Sequence, residues 1–291
     1  MSMSHPSELR NFLNSLGIHA KKSLSQNFLI DQNIINKIVA TAEINPGDLV
    51  LEIGPGPGAL TQVLLSSGAH VIAVEKDHVF AQELPRLSIS EDSLEVFNED
   101  IMTCPLEEIL KKRLKPGQKA KVVSNLPYHL TTPIVTRLVK MRDYFSHIIV
   151  MVQEEMGRRM TGTIGTKDYG SLSLFLNYYS KTQYAFKVSR NCFFPSPKVD
   201  SAIVALELCQ APQVSVEDEY FIFVRQAFQQ RRKMLRASLK KIYPSDIITQ
   251  SLNQLSLDPQ SRPERLSIEQ FISLFESCKK NFLKLETPIE N

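Results

Sequence analysis

The sequence predicts an α/β fold, a mostly parallel, doubly wound sheet followed by a small all-helical domain. Three observations carry this. Short runs rich in Val, Ile and Leu alternate with helix-length segments between Leu49 and Val152. A glycine-rich turn directly follows the first run. From Val216 to Leu285 only helical periodicity remains, broken at Pro244, Pro259 and Pro263. Ala211-Pro212 interrupts the pattern, so domains are expected over 1–210, with a basic amino-terminal extension over 1–30, and over 211–291. The chain has 291 residues, 43% hydrophobic, enough for one α/β domain of roughly 200 residues plus a smaller unit. Its 22% charged fraction is ordinary for a globular chain and argues against a disordered body.

Taken in order, residues 1–28 are polar and basic, and an amphipathic helix pattern runs from Asp31 to Ala42. Asn45-Pro46-Gly47-Asp48 is a turn signal. The runs Leu49–Ile53, His70–Val74, Leu94–Phe97, Lys121–Val123 and His147–Val152 are strand-length, with the composition of parallel strands buried on both faces. Ala59–Ser66 and Thr132–Met141 read as helices between them, and such alternation builds a parallel sheet. Two further strands, Tyr184–Val188 and Ala202–Leu208, flank a Pro-rich loop at Phe194-Pro195-Ser196-Pro197. There is no internal repeat and no low-complexity tract.

Bulk properties narrow the function classes. A net charge of +3 neither requires nor excludes a nucleic-acid partner; a binder with this balance gathers its positive charge in patches. Cys104, Cys192, Cys209 and Cys278 are far apart with no Cys-x-x-Cys pair, so neither a metal site nor a disulfide framework is expected. Free thiols in a reducing cytosol fit this usage. Met1 to Gln26 lacks the apolar stretch of a secretory signal, and Ile148–Val152 is far short of a membrane span. A cytoplasmic protein with no membrane contact is expected.

Leu51-Glu52-Ile53-Gly54-Pro55-Gly56-Pro57-Gly58 leaves the first strand and opens a helix. Glycines there let backbone approach a ligand at the carboxyl end of a strand. The spacing is Gly-x-Gly-x-Gly, whereas a dinucleotide fingerprint needs Gly-x-Gly-x-x-Gly to meet a pyrophosphate. The shorter turn suits S-adenosylmethionine, which has no phosphate. Glu75, ending the second strand, is placed to accept from ribose hydroxyls, and Asp100, after the third, from the adenine amine of such a cofactor. A glycine turn alone is common for structural reasons; the acids at both following strand ends give it chemical meaning.

The fourth strand ends in Ser124-Asn125-Leu126-Pro127-Tyr128. An adenine amine is a poor nucleophile because its lone pair is delocalised into the ring. Acceptors that hold its hydrogens localise that pair. The side-chain carbonyl of Asn125 is one acceptor, and the backbone carbonyl of Leu126 or Pro127 the other. Tyr128 can stack on the base, an interaction worth roughly 1–3 kcal/mol, once the base has left its own stack. Taken alone the tetrapeptide is equally readable as a strand-to-helix turn. Phe193-Phe194-Pro195-Ser196-Pro197 offers a second aromatic: one Phe is expected in the core, and Phe194 facing the base opposite Tyr128.

Together these residues resemble the rRNA adenine N6-dimethyltransferase family over nearly the whole chain. Ser25-Gln26-Asn27-Phe28-Leu29 looks like its amino-terminal cofactor motif. Glu52-Ile53-Gly54-Pro55-Gly56-Pro57-Gly58, Asn125-Leu126-Pro127-Tyr128 and Phe194-Pro195-Ser196-Pro197-Lys198-Val199-Asp200-Ser201 match closely. Tyr169-Gly170-Ser171-Leu172-Ser173 and Phe228-Gln229-Gln230-Arg231-Arg232-Lys233 also fit. Ser25 departs from the family pattern, which has Gly there. The resemblance implies a Rossmann-like class I S-adenosylmethionine-dependent methyltransferase needing no metal. By it, Asn27, Leu29, Gly54, Gly56, Glu75, Asp100, Ile101 and Asn125 contact the cofactor. The helical carboxyl-terminal region is most similar to that of members that dimethylate two adjacent adenosines in the 3′-terminal hairpin of 16S rRNA. Those members act, as monomers, on an immature small ribosomal subunit. Three alternatives stay open: a large-subunit rRNA methyltransferase of the antibiotic-resistance type, a DNA adenine methyltransferase, and an assembly factor without catalysis. Leu126 argues against the DNA enzymes, which more often carry Asp-Pro-Pro-Tyr or Asn-Pro-Pro-Tyr.

From Tyr220 to Ser245 there is no acid, while Arg225, Arg231, Arg232, Lys233, Arg236, Lys240 and Lys241 are basic. Arg225, Arg232, Arg236 and Lys240 fall near one helical face, and such a stripe can track a phosphate backbone. A solvated helix face is the bland alternative. Lys21-Lys22 and Arg158-Arg159 are expected to border the same RNA groove.

Overall fold

The structure, a computed structural model, describes residues 3, 5–17 and 27–286. Lys21, Lys22 and Ser25 lie outside the described residues. Two units are defined by their internal contacts, Met1–Gly157 with Tyr179–Cys209, and Arg158–Tyr178 with Gln210–Asn291.

In chain order the elements begin with α1 (Pro6–Ser15), β1 (Phe28–Leu29), α2 (Gln32–Thr41), β2 (Leu49–Ile53) and α3 (Ala59–Ser66). Next come β3 (His70–Val74), α4 (His78–Glu83), β4 (Leu94–Phe97), α5 (Leu106–Arg113), β5 (Ala120–Asn125), α6 (Thr131–Lys140) and β6 (Phe145–Gln153). Then follow α7 (Glu154–Met160), α8 (Ser171–Tyr179), β7 (Ser180–Val188), β8 (Phe193–Phe194) and β9 (Ser201–Leu208). The chain closes with α9 (Glu217–Phe228), α10 (Leu235–Ser238), α11 (Ser245–Gln254) and α12 (Ile268–Glu286).

Seven strands form one sheet in the order β4-β3-β2-β5-β6-β9-β7. The first five are parallel, β9 runs antiparallel to β6, and the edge strand β7, antiparallel to β9, returns to the direction of the first five. The expected mostly parallel, doubly wound sheet is therefore the fold. Every residue of β2 is buried, as a strand covered on both faces requires. The core gathers Leu60, Leu64 and Leu65 of α3 with Ile35 and Ile38 of α2 against Val50, Val71 and Val123; each such side chain contributes roughly 1.5–3 kcal/mol on burial. The Asp31 carboxylate caps α2, accepting from the amides of Asn33 at 3.0 Å and Ile34 at 3.1 Å, which satisfies donors a helix start leaves unpaired.

The order places a switch point between β2 and β5. The chain winds outward from β2 through β3 to β4, then returns to lay β5 on the other side of β2. Crevices at the carboxyl ends of strands flanking such a point hold ligands. Here β2 and β5 pair only at Val50↔Lys121 and Leu51↔Val122. Beyond them the strands part, and the Ser124 hydroxyl accepts from the Ile53 amide at 2.8 Å.

Two features differ from the sequence reading. The polar amino-terminal stretch contains α1, which buries Leu9, Phe12 and Leu13 beside Phe80; three apolar residues at helical spacing suffice to dock it. The basic segment is not one helix. α9 stops at Phe228, and α10 starts only at Leu235 after Met234 turns extended. Tertiary contacts enforce the break: Leu235 is fully buried, its amide donates to the Ser261 carbonyl at 2.9 Å, and Arg231 donates to the Lys167 carbonyl at 2.6 Å. Arg225, Arg232, Arg236 and Lys240 thus sit on a helix, a turn, a short helix and the turn after it, all exposed. The helical unit is built on aromatics, with Tyr220 and Phe223 of α9 packed on Phe275 of α12 at centroid distances of 5.8 and 5.6 Å.

Candidate active site

Four strand ends line the switch point. After β2, the chain turns through Gly54, Gly56 and Gly58, all with left-handed backbone. At Gly56 an added Cβ would lie 3.2 Å from the Phe28 ring, and at Gly58, the N-cap of α3, only 2.3 Å from Leu87 Cδ1. Both positions favour glycine for their left-handed backbone, and a side chain at either would in addition displace a neighbour. A Cβ on Gly54 would meet no protein atom within 4 Å, so the turn is an open cradle on that side. Arg86 closes the other side, donating to the Pro57 carbonyl at 2.6 Å.

Glu75 follows β3 and is 7% exposed. Its Oε2 accepts from the Gly56 amide at 2.9 Å and its Oε1 from the Asp77 amide at 2.8 Å. Burial raises its pKa, while the two amides oppose the rise. A carboxylate has about four lone-pair sites, so both oxygens retain capacity for a pair of hydroxyls. Asp100, after β4, accepts from the Met102 amide and from Lys76 Nζ, each at 2.9 Å. The amide first, then the ammonium, hold its pKa below the usual carboxylate range. Ile101 is buried. Glu52, in β2 beneath the glycine turn, is 2% exposed and accepts from the Thr61 hydroxyl at 2.7 Å. Burial pushes its carboxyl up to about 8.

Asn125 ends β5. Its side-chain NH2 donates to the Asn27 carbonyl at 3.3 Å, which turns the amide oxygen into the acceptor end. Leu126 is buried, its amide donating to the Met151 carbonyl at 3.1 Å. The Pro127 carbonyl is already engaged by the Leu130 amide at 2.9 Å, which leaves the Leu126 carbonyl as the better second acceptor. Tyr128 opens a single 3-10 turn, and its phenol shares a 2.7 Å hydrogen bond with the Ser201 hydroxyl. Burial raises the phenol pKa, so the ring is neutral at physiological pH.

The Phe pair divides. Phe193 is in the core and Phe194 is half-buried, with the Arg10 guanidinium 4.8 Å from its ring centroid. β8 pairs antiparallel with β1, Phe28↔Phe194 and Leu29↔Phe193. That small sheet brings Asn27 and Leu29 to the same place as Phe194, a juxtaposition the sequence did not signal. Sequence reasoning also missed Arg137, which donates from α6 to the carbonyls of Ile101 and Cys104 and so fixes the loop after Asp100. The one clue was a charge among the buried Ile134, Val135, Leu138 and Val139. Arg158, Arg159, Arg225, Arg231, Arg232, Lys233, Arg236 and Lys240 belong to the other unit and are exposed. Among the described residues no group of three or more His, Cys, Asp or Glu gathers as metal ligands would, and no helix is long and apolar enough to cross a membrane.

A cradle of left-handed glycines open at Gly54, a buried carboxylate beside it and an amide on the next strand over suit a nucleoside-bearing donor facing an amine. On this sheet order they define a class I methyltransferase of the Rossmann-like type, whose methyl donor is S-adenosylmethionine. Residues 17–280 match the family described as ribosomal RNA adenine dimethylase, and the chain belongs to that family. A relative from Protochlamydia amoebophila, named ribosomal RNA small subunit methyltransferase A, is 57% identical over 94% of this chain and 97% of its own. One of the same name from Chlamydia trachomatis is 45% identical over 96% and 99%. The crystal structure of a dimethyladenosine transferase from Plasmodium falciparum superimposes with a TM-score of 0.73, at 26% identity, over 87% of this chain and 97% of that one. The 23S rRNA methyltransferase ErmE gives 0.66 at 29% identity, over 87% and 100%.

Proposed function

We propose that this chain transfers methyl groups from S-adenosylmethionine to the N6 amines of two adjacent adenosines in the 3′-terminal hairpin of 16S rRNA, as a cytoplasmic monomer acting on an immature small subunit. The observation that carries the chemistry is the orientation of Asn125. Its NH2 is taken by the Asn27 carbonyl, so its oxygen is presented to an incoming amine. The small-subunit target rests on the likeness to the relatives of that name, 57% and 45% identical, against 29% for the 23S rRNA enzyme.

When bound, the cofactor supplies an electrophilic methyl group, and the protein supplies the rest. Gly54, Gly56 and Glu75 form the cradle and the hydroxyl acceptor, Asp100 and Ile101 bracket the nucleobase, and Asn27 and Leu29 close the site from β1. Asn125 Oδ1 and the Leu126 carbonyl hold the two amine hydrogens of the target and localise its lone pair towards the methyl group. Tyr128 and Phe194 receive the flipped base. The proton lost from the amine leaves through solvent, since neither holding group is a base. The helical unit, with Arg225, Arg231, Arg232, Lys233, Arg236 and Lys240, grips RNA phosphates, and Arg158, Arg159, Lys21 and Lys22 are further phosphate contacts. Mass spectrometry of rRNA after incubating undermethylated small subunits with protein and S-adenosylmethionine tests the proposal. Dimethyladenosine at two neighbouring 16S sites is expected. Modification of large-subunit rRNA alone, or of neither RNA, would overturn it.

A further inference from the structure

We propose that Ser201 is a positioning residue for the target base, holding the Tyr128 side chain in the rotamer that places its ring against the adenine. The inference rests on the reading of Tyr128 and Phe194 as the two walls that receive the base.

Ser201 opens β9 and is fully buried. It is paired on both sides, with Gln153 of β6 and Val188 of β7, so its Cα is fixed in the sheet. Tyr128 has no such support from its own backbone, a single 3-10 turn spanning Tyr128–Leu130. An aromatic side chain on a short turn keeps its swing about the Cα–Cβ bond unless its far end is tied. The 2.7 Å hydrogen bond from phenol to Ser201 hydroxyl is that tie, and it spans 73 residues of sequence.

The residue before it anchors the other wall. Asp200 accepts from the Arg190 amide at 3.1 Å, from Arg190 Nε at 2.9 Å and from Lys187 Nζ at 2.8 Å. Its carbonyl accepts from the Glu154 amide at 3.0 Å. Arg190 then donates to the Lys198 carbonyl at 2.6 Å, and its own carbonyl accepts from the Ser196 hydroxyl at 3.0 Å. This frame spans both ends of the loop that carries Phe194. Two consecutive residues, Asp200 and Ser201, therefore set the separation of the aromatic walls, one through the loop and one through the ring.

The test is steady-state methylation of undermethylated small subunits by the full chain, with cofactor affinity and melting temperature measured alongside. Ser201→Ala and Tyr128→Phe are each expected to lower kcat/KM for the RNA about fivefold, the ratio that about 1 kcal/mol of lost hydrogen bond gives. Cofactor affinity should stay at the wild-type value, and the melting temperature should fall by no more than about 2–4 °C, so that the assayed protein remains folded. The double variant should be no worse than either single one, because both remove the same bond. Wild-type rates for Ser201→Ala, an additive double variant, or losses that track cofactor affinity or melting would each overturn the positioning role. Tyr128→Ala and Phe194→Ala separate the two levels. If both keep wild-type rates, the two-wall reading falls and takes this inference with it. If both lose base capture while Ser201→Ala does not, only the role of Ser201 fails.

Discussion

Replacing Glu52 with glutamine should raise the thermal stability of the ligand-free protein and flatten its pH dependence between about pH 5 and 8. The carboxyl is 2% exposed. Its partner is the Thr61 hydroxyl at 2.7 Å, and the Glu75 carboxylate repels its charge. Burial, the largest cause, moves it from 4.5 to about 8. Because the folded-state pKa is raised, the unfolded chain gives up the proton first as pH rises. The stability tied to the neutral carboxyl is whole below about 4.5 and drains away until the folded group ionises near 8. At pH 7 the unfolded group is 7 − 4.5 = 2.5 units past its midpoint, and at 1.36 kcal/mol per unit the native state has lost at most about 3 kcal/mol. Glutamine keeps the shape and the acceptor for Thr61 but has no proton to hold. At about 2–4 °C per kcal/mol for a unit of this size, the gain is bounded at roughly 6–12 °C. Melting curves of both proteins from pH 5 to 8.5 are the assay. Parallel curves, with the variant no more stable at pH 8 than at pH 5 relative to wild type, would refute the reasoning.

Asn125→Ala should reduce single-turnover methyl transfer by about 10²–10³-fold, the range for removing one preorganised partner of a reacting group, with RNA binding by filter retention largely unchanged. Gly58→Ala places a Cβ 2.3 Å from Leu87 Cδ1 in left-handed backbone; a stability loss on the order of 1–3 kcal/mol is expected, with a matching rise in the Kd for S-adenosylmethionine by calorimetry. Charge reversal at Arg232 and Arg236 should weaken RNA binding and reduce the slope of log affinity against log salt by about 1 per residue; an unchanged slope would remove both from the phosphate contacts.

The strands at the switch point were legible because buried parallel strands are nearly continuous apolar runs. β2, β3 and β4 fall at the expected bounds. β5 extends past Val123 to Asn125, because its last residues are polar groups facing the crevice and carry no hydrophobic signal. β7 starts at Ser180, earlier than Tyr184, since an edge strand tolerates Lys181 and Gln183. The glycine turn, Glu75 and Asn125 were legible because their spacing reports backbone geometry. Arg137 and Ser201 were not, because each acts on a partner 33 or more residues away, and only the folded chain makes them neighbours. The basic segment was legible as a composition but not as a shape, since burial of Leu235 overrides its helical periodicity.

The two-residue ladder between β1 and β8 has a thermodynamic consequence. In the proposed assignment, where Asn27 and Leu29 contact the cofactor and Phe194 the target base, donor and acceptor sites share a ladder of four residues, Phe28↔Phe194 and Leu29↔Phe193. A ligand that stiffens that ladder would lower the entropy the other must give up. Linkage then requires the factor by which cofactor tightens RNA to equal the factor by which RNA tightens cofactor.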